Sequence, residues 1–202
     1  MRTDLCRIDP KGEGWEKALN QVEKAALYND LEKKQALQLR LLAEELLGMT
    51  KEIVGEHQAE FYVEAEGDNY KLHLMAKAKL DEDTKEELLS VSSTGKNAAA
   101  KGVMGKVRTV FESFLNGYEE GSQYFDTKML TAGYRERPVM NMYDSAEWSL
   151  QQYINTVEGQ KEEKADEWDE LEKSIVAKLA DDVTVSVHNK TAEIVISKAF
   201  TR

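Results

Sequence analysis

The sequence predicts one α+β domain, a two-layer sandwich in which a mixed or antiparallel sheet carries helices on one face. Two observations lead to this fold class. Segments with helical periodicity alternate with pairs of short segments in which apolar and polar residues alternate, and the spacing of these pairs is not that of βαβ units. The chain has 202 residues, 41% of them hydrophobic, which is enough to bury one core. We therefore predict a single domain over residues 1–202, with an irregular insertion at about 116–143.

The first half of the chain predicts a strand, two helices and a hairpin. Residues 5–8 form a short apolar run before Pro10, and residues 15–28 have helical spacing. Residues 31–54 are expected to form the longest helix, ended by Gly55. Its apolar stripe contains Leu39, Leu42, Leu46, Met49 and Ile53. Residues 60–66 and 70–76 alternate on either side of a turn at 67–69, which predicts a β-hairpin with one buried face.

The second half predicts four helices and a final hairpin. The helices are expected at residues 84–90, 98–114, 145–157 and 168–179, the third with Asp144 and Glu147 as a capping box. In the last of them Leu171, Ile175 and Leu179 share one face. Alternating valines at 183–187, a turn at 188–190 and the apolar run 194–196 form the hairpin.

Composition narrows the classes of function. The formal charge is −11, with 38 acidic and 27 basic residues, so the surface repels phosphate backbones and nucleic-acid binding is not expected. No apolar run is long enough to span a membrane, and no signal peptide is predicted. The single cysteine, Cys6, excludes an internal disulfide and fits a cytoplasmic location. The three histidines lie far apart in sequence and predict no zinc site.

A segment of the long helix resembles a motif of nucleotide-binding proteins. The run LRLLAEELLGM at 39–49 lies over the N-box of the histidine-kinase-like (GHKL) ATPases, with Glu45 at the position of the family's glutamate. The order of predicted elements is similar to the anti-sigma-factor serine kinases of bacteria within that family. The resemblance implies the Bergerat-type ATP-binding fold, ATP and Mg²⁺ as ligands, and Glu45 as the general base of phosphoryl transfer to a serine on a partner protein. It also implies a regulatory protein partner and a homodimer.

The resemblance extends to the glycine-rich lid of that family, which closes over the triphosphate. The segment SSTGKNAAAKGVMGKVR at 92–108 is similar to this lid and is the most basic part of an acidic chain. Backbone amides at glycines and lysine ammonium groups are ordinary ligands of phosphate. The residues expected to hold the nucleotide are Gly95, Lys96, Lys101, Gly102, Gly105 and Lys106.

Two family positions carry different residues here. The asparagine that holds Mg²⁺ falls on Met49, a thioether and a poor ligand for a hard cation. The Asp-x-Gly-x-Gly motif that reads adenine falls on AKAKLD at 76–81, which has neither glycine. The predicted function is therefore a diverged ATP-binding domain that acts in regulation with weakened or lost nucleotide binding. As an enzyme it would be an inactive or diverged ATP-dependent serine kinase.

The same residues also have structural interpretations, which lead to an alternative function. Glu45 is at mid-helix, where carboxylates usually face solvent, and Gly102 and Gly105 could permit close helix packing. The lysines of the basic segment could form a solvated face. The alternative is a non-enzymatic protein-interaction domain without a small-molecule site, with a partner near the aromatic residues of 118–143. A third hypothesis is an enzyme that uses the basic segment for a different anion.

Overall fold

A computed structural model of the chain describes residues 1–9, 11–50, 59–77, 102–116, 147–188 and 191–201. Within these ranges strands and helices are interspersed along the chain, as the sequence predicts. The elements are β1 (Cys6–Ile8), α1 (Trp15–Tyr28), α2 (Lys33–Gly48), β2 (Ala59–Glu66), β3 (Asn69–Lys77), α3 (Gly102–Asn116), β4 (Glu147–Ser149), α4 (Leu150–Glu158), α5 (Ala165–Lys173), α6 (Ile175–Leu179), β5 (Asp182–His188) and β6 (Thr191–Ala199). The helix expected at 84–90 lies outside the described residues, as do residues 117–143 of the insertion expected at about 116–143 and most of the lid-like segment.

The described strands form one sheet in the order β1-β2-β3-β6-β5-β4, in which every pair of neighbours is antiparallel. The α+β class is confirmed, and of the two sheet types predicted, the antiparallel one is present. Both predicted hairpins form: β2 pairs with β3 across a turn at 67–68, and β5 pairs with β6. One row of paired residues crosses the whole sheet, and each of its members is buried: Cys6, Phe61, Leu74, Ile194, Val185 and Trp148.

The core lies between this face of the sheet and the described helices. Alternate residues of β2, β3, β5 and β6 are buried together with the apolar stripes of α1, α2 and α3 in one continuous cluster. This arrangement is consistent with a two-layer sandwich. Cys6 belongs to the cluster, where burial raises the pKa of its thiol, as expected for a structural rather than a reactive cysteine. Among the described helices, none combines the length and the apolar character needed to cross a bilayer.

Three helix predictions are wrong in part. The long helix expected at 31–54 spans only Lys33–Gly48, with Met49 as its C-cap. At its start the N–H of Glu32 donates to Gln35 Oε1 at 3.0 Å. The helix expected at 145–157 begins only at Leu150, because Glu147–Ser149 pairs with β5 as a strand. The N-cap is therefore Ser149 and not Asp144: its Oγ accepts from the N–H of Gln152.

The last predicted helix is divided into two. α5 ends at Lys173 and α6 begins at Ile175, because Ser174 is extended and its side chain caps α6 by accepting from the N–H of Ala177. The division rotates the face that meets the core. Leu171 is buried as predicted, but Ile175 is 46% exposed and Val176 is buried in its place.

The second face of the sheet carries the other set of alternating residues, and we call it the open face. The rows of paired residues on this face are mostly polar. One consists of Arg7, Glu60, Met75, Glu193, Ser186 and Glu147, and the next contains Tyr62, His73, Val195 and Thr184. Most of these positions are partly exposed, whereas Tyr62 and His73 are buried. A polar pair buried in the middle of a partly exposed sheet face is the feature on which the candidate site depends.

Candidate functional site

Glu45, the predicted catalytic base, lies on the exposed side of α2. Its neighbour Glu44 accepts from Arg40 Nε at 2.9 Å, and the same guanidinium bonds to Glu23 on α1, so this side of the helix carries surface ion pairs. Met49, at the position of the family's metal ligand, is 5% exposed and belongs to the core. The residue that matches the family's general base, Glu45, therefore lies at the surface. The residue that matches its metal ligand, Met49, lies among apolar side chains.

The predicted phosphate-binding residues are described only in part. Gly95, Lys96 and Lys101 lie outside the described residues. Gly102 begins α3 with a φ of +81°, and a Cβ built there would have no heavy atom of the described residues within 4 Å. Gly102 is therefore required for its backbone conformation and not for close packing. Gly105 lies inside the helix, where its carbonyl accepts from Thr109 Oγ1 at 2.9 Å.

Lys106 points towards α4, where its Nζ lies 5.3 Å from the centre of the Tyr153 ring. The structure thus brings Gly102, Gly105 and Lys106 together on α3. Glu45 is on a different helix: α2 packs against α1 and α6, whereas α3 packs against β5, β6, α5 and α6. The predicted base and the described part of the predicted phosphate site therefore lie on two different helices, α2 and α3, which both contact α6.

Tyr153 provides a pH-dependent test of the packing around Lys106. Burial, together with the carboxylates of Glu167 and Glu170 on α5, raises the pKa of Tyr153 to about 12 from an ordinary value of 10.0. Because the folded state keeps the phenol proton to higher pH than the unfolded state, the associated stability is complete below about pH 10 and is lost as the pH rises towards 12. At about 1.4 kcal/mol per pKa unit, the free energy of unfolding should fall by about 2–3 kcal/mol across this window.

The measurement is denaturant unfolding between pH 10 and 12, compared between the wild type and Tyr153→Phe. The variant keeps the ring that contacts Lys106 and Trp148 but has no phenol proton to lose. Between pH 10 and 12 its free energy of unfolding should therefore fall by about 2–3 kcal/mol less than that of the wild type. The absorbance of tyrosinate in the folded wild type should show a late-titrating tyrosine that is missing from the titration of the folded variant. Parallel stability curves for the two proteins would contradict the assigned environment of Tyr153.

A set of interacting polar side chains lies on the open face, and sequence reasoning did not identify it. We call it the open-face cluster: Arg2, Tyr62, Glu64, His73 and Glu193. The rings of Tyr62 and His73 are stacked with centres 4.3 Å apart and planes 8° apart. The guanidinium carbon of Arg2 lies over Tyr62 at 4.0 Å from the ring centre. Three planar groups therefore form a continuous stack.

Two carboxylates flank this stack. Glu193 Oε1 lies 2.8 Å from His73 Nδ1, and Glu64 Oε2 lies 3.5 Å from His73 Nε2. Glu64 also lies 3.9 Å from Arg2 through its other oxygen. Burial raises the pKa of Tyr62 above its ordinary value, and the nearby carboxylate of Glu193, which is hydrogen-bonded to the phenol, raises it further. The phenol of Tyr62 is therefore neutral at physiological pH.

The geometry of the open-face cluster suits binding better than catalysis. A carboxylate at Nδ1 is the arrangement that orients a histidine as a general base through Nε2. Here, however, Nε2 is buried and faces Glu64, so a substrate does not reach it. No group of three or more metal-binding side chains is found in the described ranges. What remains is an aromatic platform flanked by acids, which is suited to hold a cationic group.

One signal in the sequence could have identified this cluster. The alternation that assigns Phe61, Val63 and Leu72 to the core also assigns Tyr62, Glu64 and His73 to the opposite face. Glu193 could not be added, because it is 120 residues from His73 and joins it only through the pairing of β3 with β6. The three histidines are far apart in sequence, and the partners of His73 are carboxylates on two other strands, Glu64 on β2 and Glu193 on β6.

Comparison with known proteins leaves the family of this chain open. No model of a protein family matches the sequence, and no curated protein sequence matches it.

Proposed function

We propose that this chain is a regulatory, non-enzymatic binding domain that holds a partner protein against the open face of its sheet. The observation that carries the proposal is the open-face cluster itself. Its tyrosine and histidine are only 6% and 7% exposed although they lie on the face opposite the helices and the core. Aromatic side chains beside an arginine, surrounded by partly exposed polar residues, match the enrichment of aromatic residues and arginine at interface centres.

The charges around the cluster indicate the kind of partner. The open face and its flanks carry the carboxylates Glu60, Glu64, Glu147 and Glu193, and the cations Arg2, Arg7 and Lys71. The whole chain has a net charge of −11, so it attracts basic surfaces at long range and repels acidic ones. A partner with a predominantly basic contact surface fits this face.

Site-specific photo-crosslinking tests the proposal. A photoreactive amino acid at Val195, which lies opposite His73 on the open face, should give an adduct with a discrete protein in extracts of the source cells. The same group at Leu37, which is 56% exposed on α2, is the matched control and should give none. Reversing the charge of the face with Glu193→Lys should reduce the adduct from position 195. Equal adducts from both positions, or none from either, would contradict the open face as the binding surface.

A second candidate function is the diverged ATP-binding domain that the resemblance implies. It is favoured by the backbone of Gly102, whose positive φ begins α3 three residues before Gly105 and four before Lys106. Free amides at the start of a helix and a nearby ammonium group together attract phosphate. In this candidate the nucleotide regulates the binding of the partner, and Glu45 makes no contribution to catalysis.

Thermal unfolding with ATP or ADP, with and without Mg²⁺, tests this candidate. A ligand at 100 times its Kd stabilises the folded state by about 2.7 kcal/mol, which raises the unfolding midpoint visibly. The candidate requires a shift that is reduced in Lys106→Met and retained in Glu45→Gln. The absence of any shift in the wild type at millimolar nucleotide would remove it and leave the partner-binding function.

A further inference from the structure

The segment that carries Arg2 is held to the sheet by few contacts. We call residues 1–5 the arm. The Met1 nitrogen donates to the carbonyl of Ala65 at 2.6 Å, and the N–H of Ala65 donates to the carbonyl of Met1 at 2.8 Å. The N–H of Thr3 donates to the carbonyl of Val63 at 2.9 Å, and Thr3 Oγ1 accepts from the N–H of Val63 at the same distance. The arm thus pairs with the edge of β2 through its backbone and one hydroxyl.

The apolar side chains of the arm are only about half buried. Its two apolar side chains, Met1 and Leu5, are 48% and 47% exposed, and the sulfur of Met1 makes only a weak contact of 3.9 Å with Asn29 Nδ2. The next residues are different, because Cys6 and Ile8 are buried and pair regularly with β2. The arm can therefore separate from β2 while β1 stays in place, since local opening follows the segments with the least buried apolar surface.

Separation of the arm would expose a template with two components. The first is the edge of β2, where the N–H and C=O groups of Val63 and Ala65 would have no partner, and such an edge binds extended chains. The second is the free face of the Tyr62 ring beside the carboxylate of Glu64. In the closed state Arg2 occupies this second component at 4.0 Å from the ring centre, with 54% of its side chain exposed. A guanidinium is thus already seated on the platform.

We infer that the edge of β2 and the Tyr62–Glu64 platform form a docking site for an extended, arginine-bearing segment of a partner protein, which the chain's own arm occupies in its absence. The incoming strand replaces the backbone hydrogen bonds of the arm one for one. Its arginine takes the position of Arg2 between the Tyr62 ring and Glu64. The inference rests on the proposed function in taking a protein as the ligand and in using Tyr62 and Glu64 of the open-face cluster, and it adds the backbone groups at the edge of β2.

The charge of the site selects an arginine-bearing segment over other extended chains. Glu64 and Glu66 lie on the same face of β2 as Tyr62, so a strand that pairs with the freed edge lies beside two carboxylates. The planar guanidinium stacks on an aromatic ring and donates to a carboxylate at the same time, which the compact ammonium group of lysine does less well. An acidic or neutral segment would pair with the same backbone groups but would leave the platform empty.

The experiment uses the full chain and a labelled synthetic peptide that copies residues 1–5. In the double variant Arg2→Ala/Thr3→Pro, the arm loses its guanidinium, one backbone donor and the hydroxyl acceptor. Because the open state is then the major one, the peptide should bind this variant at least about tenfold more tightly than the wild type. Hydrogen exchange at the amides of Val63 and Ala65 should be faster in the variant and should return to wild-type rates with peptide.

Two further comparisons test the role of the platform. Replacing the peptide's arginine with alanine should weaken its binding to the double variant by about fivefold, and adding Tyr62→Leu to the variant should have the same effect without adding to the first. Tyr62→Phe keeps the ring and should bind the peptide like tyrosine. Equal peptide affinity for wild type and double variant, or no effect of the peptide's arginine, would overturn the inference.

One outcome would assign the site to a different occupant. A wild-type chain that forms a concentration-dependent dimer, dispersed by the double variant, would show that the arm of a second copy fills the site, and the partner segment would be excluded. The peptide titration is independent of the crosslinks at Val195. The crosslinks therefore test the open face as an interface, the peptide titration tests the site at the edge of β2, and either one can fail without the other.

Discussion

Phe61→Ala is expected to lower the free energy of unfolding by about 3–5 kcal/mol, the range for removing a large aromatic side chain from a close-packed core. Phe61 is fully buried and lies in the row of paired residues that crosses all the described strands. Its direct neighbours in that row are Cys6 and Leu74. The cavity would therefore open between the sheet and the helices, where no flexible surface group can fill it.

Urea unfolding measures this effect as a lower midpoint with an unchanged slope. Leu27→Ala is the matched control, because Leu27 is 78% exposed on α1 and its truncation should change stability by no more than about 0.5 kcal/mol. If Phe61→Ala destabilised the protein no more than Leu27→Ala, the assignment of this face of β2 to the core would be wrong.

Gly14→Ala should lower stability by about 2–5 kcal/mol, from backbone strain and overpacking together. Gly14 precedes α1 with a φ of +89°, a conformation that side chains disfavour. A Cβ built there would lie 2.0 Å from the carbonyl oxygen of Arg7 and 3.3 Å from Ile8 Cδ1. Since the first of these atoms is backbone, relief requires α1 to move away from β1.

Comparison with Gly67→Ala separates the backbone strain of Gly14→Ala from its overpacking. Gly67 also has a positive φ, +59°, but a Cβ there would meet no atom within 4 Å in the part of the chain that the structure describes, so only the conformational penalty of about 1–2 kcal/mol is expected. The difference between the two variants, measured by the same unfolding experiment, is the cost of the clash with Arg7. Equal losses of stability would show that the close approach of β1 to the start of α1 is absent.

The periodicity of the sequence predicted the interior of each element better than its ends. In β2 and β3 the side chains predicted to face the core are buried, and α1 has the predicted bounds. The exceptions occur where a contact with another element decides the conformation. Glu147–Ser149 leaves the helical pattern because it pairs with β5, and Ser149 Oγ then donates to Asp182, 33 residues further along the chain.

The candidate sites also differ in whether they depend on local sequence or on contacts between distant segments. The resemblance pointed to α2 and α3 by local motifs, which the sequence displays directly. The apolar stripe of α2 already indicated that Met49 faces the core and Glu45 the solvent, as the structure has them. The open-face cluster has no local motif. Arg2, Tyr62, His73 and Glu193 come from separate segments, and their contacts depend on the register of β2 with β3 and of β3 with β6.

By itself the sequence determined the α+β class, the two hairpins and the apolar stripes, because each depends on spacings within a few residues of the chain. Only the tertiary structure decided the order of the strands, the break at Ser174, the requirement for Gly14 and the stack of Arg2, Tyr62 and His73. Each of these depends on which distant segments become neighbours, a choice made by the packing of the whole core and absent from any local pattern.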